Sequence, residues 1–106
     1  MNELIDIKVQ TTDQGSCLVS VAGELDVVTA REVRLALHAA IDHHDRIVVD
    51  LGRLHFCDCA GLAALLAANR AARARGVEMR LRAIPHALAR IIRLTGAGGA
   101  FSIDPP

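Results

Sequence analysis

Residues 55–59 gather two thiols, a carboxylate and an imidazole: the stretch reads His55-Phe56-Cys57-Asp58-Cys59-Ala60-Gly61. A thiolate could serve as a nucleophile, and His55-x-Cys57-x-Cys59 offers three soft metal ligands. Each template meets an obstacle. A cysteine-phosphatase loop needs an arginine six positions beyond its nucleophile, where this chain has Leu65. There is no C-x-x-C, G-x-S-x-G or Walker lysine motif. A receiver-type phosphoaspartate pocket needs a late lysine, and the only lysine is Lys8. No fourth ligand follows at zinc-site spacing, so a buried Cys57 and an unliganded His55 are the simpler reading. The expectation is a chain with no catalytic residue, no metal and no cofactor.

A second charged segment, Gly23-Glu24-Leu25-Asp26, comes earlier in the chain. Whether it can act together with Asp58 depends on the elements that carry both. Residues 4–10 alternate Ile5, Ile7 and Val9 with Asp6, Lys8 and Gln10, a half-buried strand. TTDQGS at 11–16 is turn chemistry, and Cys17, Val19 and Val21 alternate in a second strand, closing an antiparallel hairpin that Gly23 ends.

Thr29-Ala30-Arg31-Glu32 reads as a capping box opening a helix with the stripe Val33, Ala36, Leu37, Ala40 and Ile41. RIVVDL at 46–51 is a short, nearly continuous apolar strand of the kind found in the middle of a sheet. A second helix is expected from about Ala60 to Arg75, stopped by Gly76. Val77, Met79, Leu81 and Ala83 alternate in a fourth strand; Pro85 opens a third helix with Leu88, Ile91 and Ile92 inward, ended by Gly96; and Phe101–Ile103 is a last short strand.

This order predicts one α/β domain over 1–106, with its core about 4–103: a mixed four- to five-stranded sheet with helices mainly on one face. Ligands of open α/β sheets gather beyond the carboxyl ends of parallel strands. If the second and third strands are parallel neighbours, Asp26 and Asp58 share that rim. Asp58 then caps the second helix, either as a cap alone or as a cap that also meets a partner. In that helix, AGLAALLAA at 60–68 has no polar side chain; Leu62, Leu65 and Leu66 suit the core, leaving Ala63, Ala64 and Ala67 to face elsewhere. A small apolar surface beside a charged loop suits docking of another protein.

Composition narrows the function further. The 106 residues carry 12 Lys+Arg and 12 Asp+Glu, so no net basic field favours nucleic acid or an anionic membrane. Phe56 and Phe101 are too few aromatics for base stacking. No run is apolar enough to cross a bilayer, and the start MNELIDIK does not read as a secretory signal. Three cysteines, Cys17, Cys57 and Cys59, suit reduced thiols in the cytoplasm. The neutral total hides a formal charge of −5 over residues 1–50 and +5 over residues 51–106. Neutralisation across one surface is the simpler reading; a polarised docking face is the alternative.

Four segments now stand in order: Gly23-Glu24-Leu25-Asp26-Val27-Val28-Thr29-Ala30, Val48-Val49-Asp50-Leu51, Phe56-Cys57-Asp58-Cys59-Ala60-Gly61-Leu62, and Leu94-Thr95-Gly96. Together they resemble the STAS domain of bacterial anti-sigma factor antagonists, over nearly the whole chain to Ile103. The resemblance implies a mixed sheet with helices on one side and a partner-switching role. Such an antagonist binds an anti-sigma factor of serine-kinase type and frees a sigma factor; the kinase phosphorylates a serine in an Asp-Ser-Ser/Thr-Gly motif, and a phosphatase reverses it.

It further implies partner contacts at Glu24, Asp26, Asp58, Cys59, Ala60, Gly61, Leu62 and Ala63, with self-association compatible with the role. Here the motif reads Asp58-Cys59-Ala60-Gly61: Cys59 stands at the acceptor position and Ala60 at the next hydroxyl. The expectation is an antagonist not switched by serine phosphorylation, or one whose control has moved to cysteine chemistry at Cys59. The alternatives are a STAS adaptor in a signalling or transporter-associated complex, and a thiol enzyme using Cys59.

Overall fold

A computed structural model describes residues 4–12 and 14–104. The apolar alternation at the start of the chain produces β1 (Ile5–Thr11) and β2 (Ser16–Leu25), paired antiparallel with Ile7 opposite Val21 and Val9 opposite Val19. The turn between them closes through Thr12 and Ser16, whose N–H and carbonyl groups meet at 2.8 Å; Asp13 of the expected turn lies outside the described residues.

Gly23 does not end β2, contrary to the expectation from sequence. The strand runs on to Leu25 through an irregularity, with register shifts between Ser20 and Ala22 and between Gly23 and Glu24. Gly23 takes φ 106°, a conformation open to glycine, and so stays paired with Ile5 on one side and Leu54 on the other.

The amphipathic stripe forms α1 (Ala30–His43), burying Val33, Leu37, Ala40 and Ile41. Its start corrects a second expectation. Thr29 occupies the N-cap position but makes no side-chain cap hydrogen bond, because its hydroxyl is fully buried in the preceding loop. β3 (Arg46–Cys57) is twice the expected length. Its burial alternates as far as Leu51 and then recurs every third residue, at Leu54 and Cys57, which a period-two pattern does not reveal.

α2 (Cys59–Ala74) ends where Gly76, at φ 70°, lets the N–H groups of Gly76 and Val77 fold back onto the carbonyls of Arg73 and Ala72. β4 (Glu78–Arg82), α3 (His86–Leu94), a 3-10 turn (Ala97–Ala100) and β5 (Ser102–Ile103) complete the chain. β4 stops one residue short of the alternating pattern, because Ala83 turns to φ 57°.

The sheet order is β1-β2-β3-β4-β5, with β2 through β5 all parallel. Cys17, Val19, Val21, Ile47, Val49, Leu51, Met79 and Leu81 are buried on the face that the helices cover. Leu37, Leu65 and Leu88 reach that core from the three helices, each buried leucine contributing about 1.5–3 kcal/mol. α2 also packs against α1, so Ala64, expected to face away, is buried, while Ala63 stays exposed.

The opposite face of the sheet is polar and ion-paired. Arg82 meets Asp50 at 2.9 Å across β3 and β4, and Arg80 contacts Asp104 and Glu78. The Arg82–Asp50 pair, with Arg75–Asp42 at 2.9 Å, joins the basic second half of the chain to the acidic first half. Neutralisation within one unit therefore accounts for part of the charge asymmetry.

The Asp50 carboxyl is held below its ordinary pKa chiefly by the Gly52 N–H, at 2.9 Å, with Arg82 adding to the effect against the opposing pull of partial burial. A folded pKa below the unfolded one stabilises the fold above the unfolded value, and that contribution is lost as pH falls through the folded value. Urea unfolding of Asp50→Asn between pH 7 and pH 3 is expected to lose less stability than wild type on acidification. The difference should stay under about 1 kcal/mol, because the Arg82 partner is half exposed.

Candidate docking site

The docking rim begins with strand pairing. β2 and β3 lie parallel with Leu25 opposite Cys57, so the segments that leave their carboxyl ends emerge side by side. The Asp58 N–H donates to the Leu25 carbonyl at 3.2 Å and ties the two exits together. Gly61 makes this closeness possible. A Cβ there would lie 2.7 Å from Leu25 Cγ, 2.8 Å from Cys57 Sγ and 2.8 Å from the Leu25 carbonyl oxygen.

Each exit is then fixed by its own hydrogen bonds. In the first, Asp26 Oδ1 accepts from the N–H groups of Val28 (2.9 Å) and Thr29 (3.2 Å), folding the loop onto its own carboxylate. Thr29 Oγ1 donates to the Glu24 carbonyl at 2.7 Å and accepts from the Asp26 N–H at 3.0 Å, bracing the loop from inside. In the second, Asp58 is the N-cap of α2 and its Oδ1 accepts from the Gly61 N–H at 3.0 Å. The capping role read from the sequence is therefore real, and it uses one carboxylate oxygen.

Chemistry at the thiols is limited. Burial, helped by the neighbouring Asp58 and Cys59, pushes the Cys57 thiol up to about 12, so it remains protonated at neutral pH. Cys17 is likewise raised by burial. Cys59, the first residue of α2, is exposed. His55 is exposed while Cys57 is buried, and among the described residues no three His, Cys, Asp or Glu side chains gather as metal ligands.

The eight residues singled out from sequence divide into surface and support. Glu24, Cys59 and Ala63 are exposed; Asp26, Asp58 and Ala60 are partly covered; Gly61 and Leu62 are buried. A partner can touch the first three, while Gly61 and Leu62 act from beneath by setting the spacing of the rim.

Sequence reading passed over three further residues. Val27 (76% exposed), Val28 (66%) and Phe56 (49%) present apolar surface at the same two exits, with Phe56 paired to Glu24 across the strands. Their mark in the sequence is that Val27 and Val28 fit neither the strand period before them nor the helix stripe after them. Phe56 is likewise out of step with Leu54 and Cys57.

A braced, mostly apolar rim with acidic edges has the composition of a surface that can meet another protein. Comparison with known proteins gives the family. A family model described as Mlab, STAS domain matches residues 8–103, and the chain belongs to the STAS domain family. It is 31% identical over 104 residues to an anti-sigma-B factor antagonist of Listeria monocytogenes, covering 97% of this chain and 90% of that protein. It is also 31% identical over 91 residues to the anti-sigma-F factor antagonist RsfA of Mycobacterium tuberculosis, covering 83% and 71%.

Among solved structures, an anti-sigma factor antagonist from Mycobacterium paratuberculosis superposes with a TM-score of 0.85 at 32% identity, over 96% of this chain and 86% of that one. The unphosphorylated form of the antagonist SpoIIAA shares the fold, with a TM-score of 0.77 at 19% identity over 94% and 89%.

Proposed function

We propose that this protein is an anti-sigma factor antagonist that docks through the β2–α1 and β3–α2 exits onto an anti-sigma factor of serine-kinase type in the cytoplasm, and so frees a sigma factor. The observation that carries the reading is the rim itself: Val27, Val28 and Phe56 exposed around Cys59 and Ala63, on a loop pair braced by Thr29 and Asp58. Exposed apolar residues on a rigid frame supply contact area at low ordering cost, which a hot-spot cluster requires. The names of the relatives supply the class of partner. The protein itself makes and breaks no bond in this role.

The switch differs from the one the family resemblance implies. A phosphoserine at the first residue of α2 would add about −1.5 to −2 charges beside Asp58 and Glu24, and disfavour docking by repulsion and desolvation. Cys59 and Ala60 offer no hydroxyl there, so the rim stays competent to dock whatever the state of the kinase, and a phosphatase has no substrate on this loop.

The reading is tested by mixing the protein with an anti-sigma kinase of its own cell, that kinase's sigma factor and ATP. The expected result is a complex of antagonist and kinase with release of the sigma factor, and no acid-stable phosphate on the wild-type chain. Cys59→Ser is expected to acquire phosphate under the same conditions and then to lose the complex. Failure to release any sigma factor, with or without nucleotide, would sink the reading. A second reading, a fixed adaptor subunit, is favoured by the loss of both hydroxyls at 59 and 60. It predicts stable co-purification with a larger assembly that does not change when ATP is added.

A further inference from the structure

The carboxyl ends of β4 and β5 open onto a cleft of about 450 Å³ that shares no residue with the docking rim. Its wall is almost wholly apolar: Ala83, Ile84, Ala89, Ile92, Gly98 and Ile103 line it. Apolar clefts with a few placed polar groups, at the carboxyl ends of parallel strands, are the usual setting for small ligands in α/β folds.

The charges of the cleft are unequal. Asp104 belongs to the lining, but its carboxylate is engaged by Arg80. Arg93 also belongs to the lining, and among the described residues its guanidinium takes part in no hydrogen bond or ion pair. No aspartate or glutamate occurs anywhere from 79 to 103 to oppose it. Of the other arginines in that stretch, Arg80 and Arg82 are already paired, whereas Arg90 stands on the same helix with Arg93 and adds to the positive field.

The backbone adds an independent mark. Ala83 is the one non-glycine among the described residues at positive φ, 57°, and it lies in the wall of the cleft. Such strain is retained where the surrounding structure fixes it, and it concentrates at binding sites.

We propose that this cleft binds a small amphipathic carboxylate, a linear acyl chain lying along Ile84, Ala89, Ile92 and Ile103 with its head on the Arg93 guanidinium. A carboxylate suits that position because the guanidinium fork can hold both of its oxygens. A neutral apolar molecule would leave Arg93 without a counter-charge, and a polyanion would meet the apolar wall and Asp104. The site does not depend on the rim's reading as a docking surface.

The test titrates the full chain with octanoate, and with 1-octanol as the head-group control, by calorimetry and by amide shift mapping. Octanoate is expected to bind saturably in the roughly millimolar range of so small a ligand, about tenfold tighter than octanol. Amide shifts should concentrate at residues 83–93 and 98–104. Arg93→Gln should bring octanoate down to the affinity of octanol. Ala89→Leu, which fills the cleft from the helix side, should weaken both compounds; melting curves show whether it folds, and the Arg93→Gln comparison decides without it. Equal binding of the two compounds to wild type, octanoate affinity unchanged in Arg93→Gln, shifts confined to the docking rim, or no saturable binding would each overturn the proposal.

Discussion

Gly23→Ala is expected to remove about 4 kcal/mol of stability and to lower the melting temperature by roughly 15–25 °C. Two costs add at this position. Alanine at φ 106° is strained, and its Cβ would lie 2.3 Å from the Leu4 carbonyl oxygen, which already accepts the Glu24 N–H at 2.8 Å. That carbonyl is backbone and has no rotamer through which to withdraw. The first strand must therefore separate from the second, or the bulge must flatten and break its pairing with Leu54. Domains of this size have a total stability of about 5–15 kcal/mol, so the loss is a large part of the whole.

Gly76→Ala isolates the strain. Gly76 also has positive φ, 70°, but a Cβ there meets nothing within 4 Å, and a cost of only about 1 kcal/mol is expected. Denaturant unfolding of both variants measures the difference. Similar losses would show that close approach to Leu4 is not what Gly23 provides.

Val28→Asp is expected to weaken anti-sigma factor binding about thirtyfold or more while leaving the fold intact. Val28 is two-thirds exposed and directly precedes the N-cap of α1, where the helix dipole favours an added negative charge. Its stability should match or slightly exceed wild type, so lost binding reads as lost contact and not as unfolding. At a docked surface the same carboxylate is desolvated beside Asp26 and Glu24 with no new partner, and a central apolar contact is gone as well. Calorimetric titration against the anti-sigma factor measures the loss. Phe56→Ala should act in the same direction, since Phe56 supplies the largest apolar side chain of the rim. If both variants bound as wild type, the partner would be contacting some other face.

Much of this arrangement was legible in the residues. The stripe from Val33 to Ile41 and the glycines at 76 and 96 each reported one local preference that the packing then kept. The alternation in 4–10 marked a strand that covers Ile5 and Ile7 but leaves Val9 exposed. Asp58 was readable as a cap because the short side chain, the helix start and the apolar run after it all agree. What stayed hidden was decided by contacts across the sheet.

Gly23 looked like a breaker because glycine weakens isolated strands; with neighbours on both sides it instead allows a bulge. Thr29 and Glu32 match a capping box, yet the Thr29 hydroxyl is better placed against Glu24 and Asp26, so tertiary structure overrode the local motif. At the rim, Gly61 and Leu62 read as contact residues because they lie in the motif, whereas burial is set by α2 packing on Leu25 and Cys57. Val27 and Val28 went unnoticed because an apolar pair in a loop has no period to announce it.

The sequential strand order bears on how the molecule is made. Every strand pairs with the one before it in the chain, so each new strand can add to a sheet that already exists. A chain growing from its amino end can close the β1–β2 hairpin first, then seat β3 against β2 once α1 has emerged. Both exits of the rim, their bracing hydrogen bonds and α2 belong to residues 5–74. β4, α3 and β5 arrive afterwards, finish the core around Leu81 and Leu88, and build the apolar cleft farther along the same edge of the sheet. In the order of synthesis, the surface proposed to meet a partner precedes the segment that completes the molecule's stability.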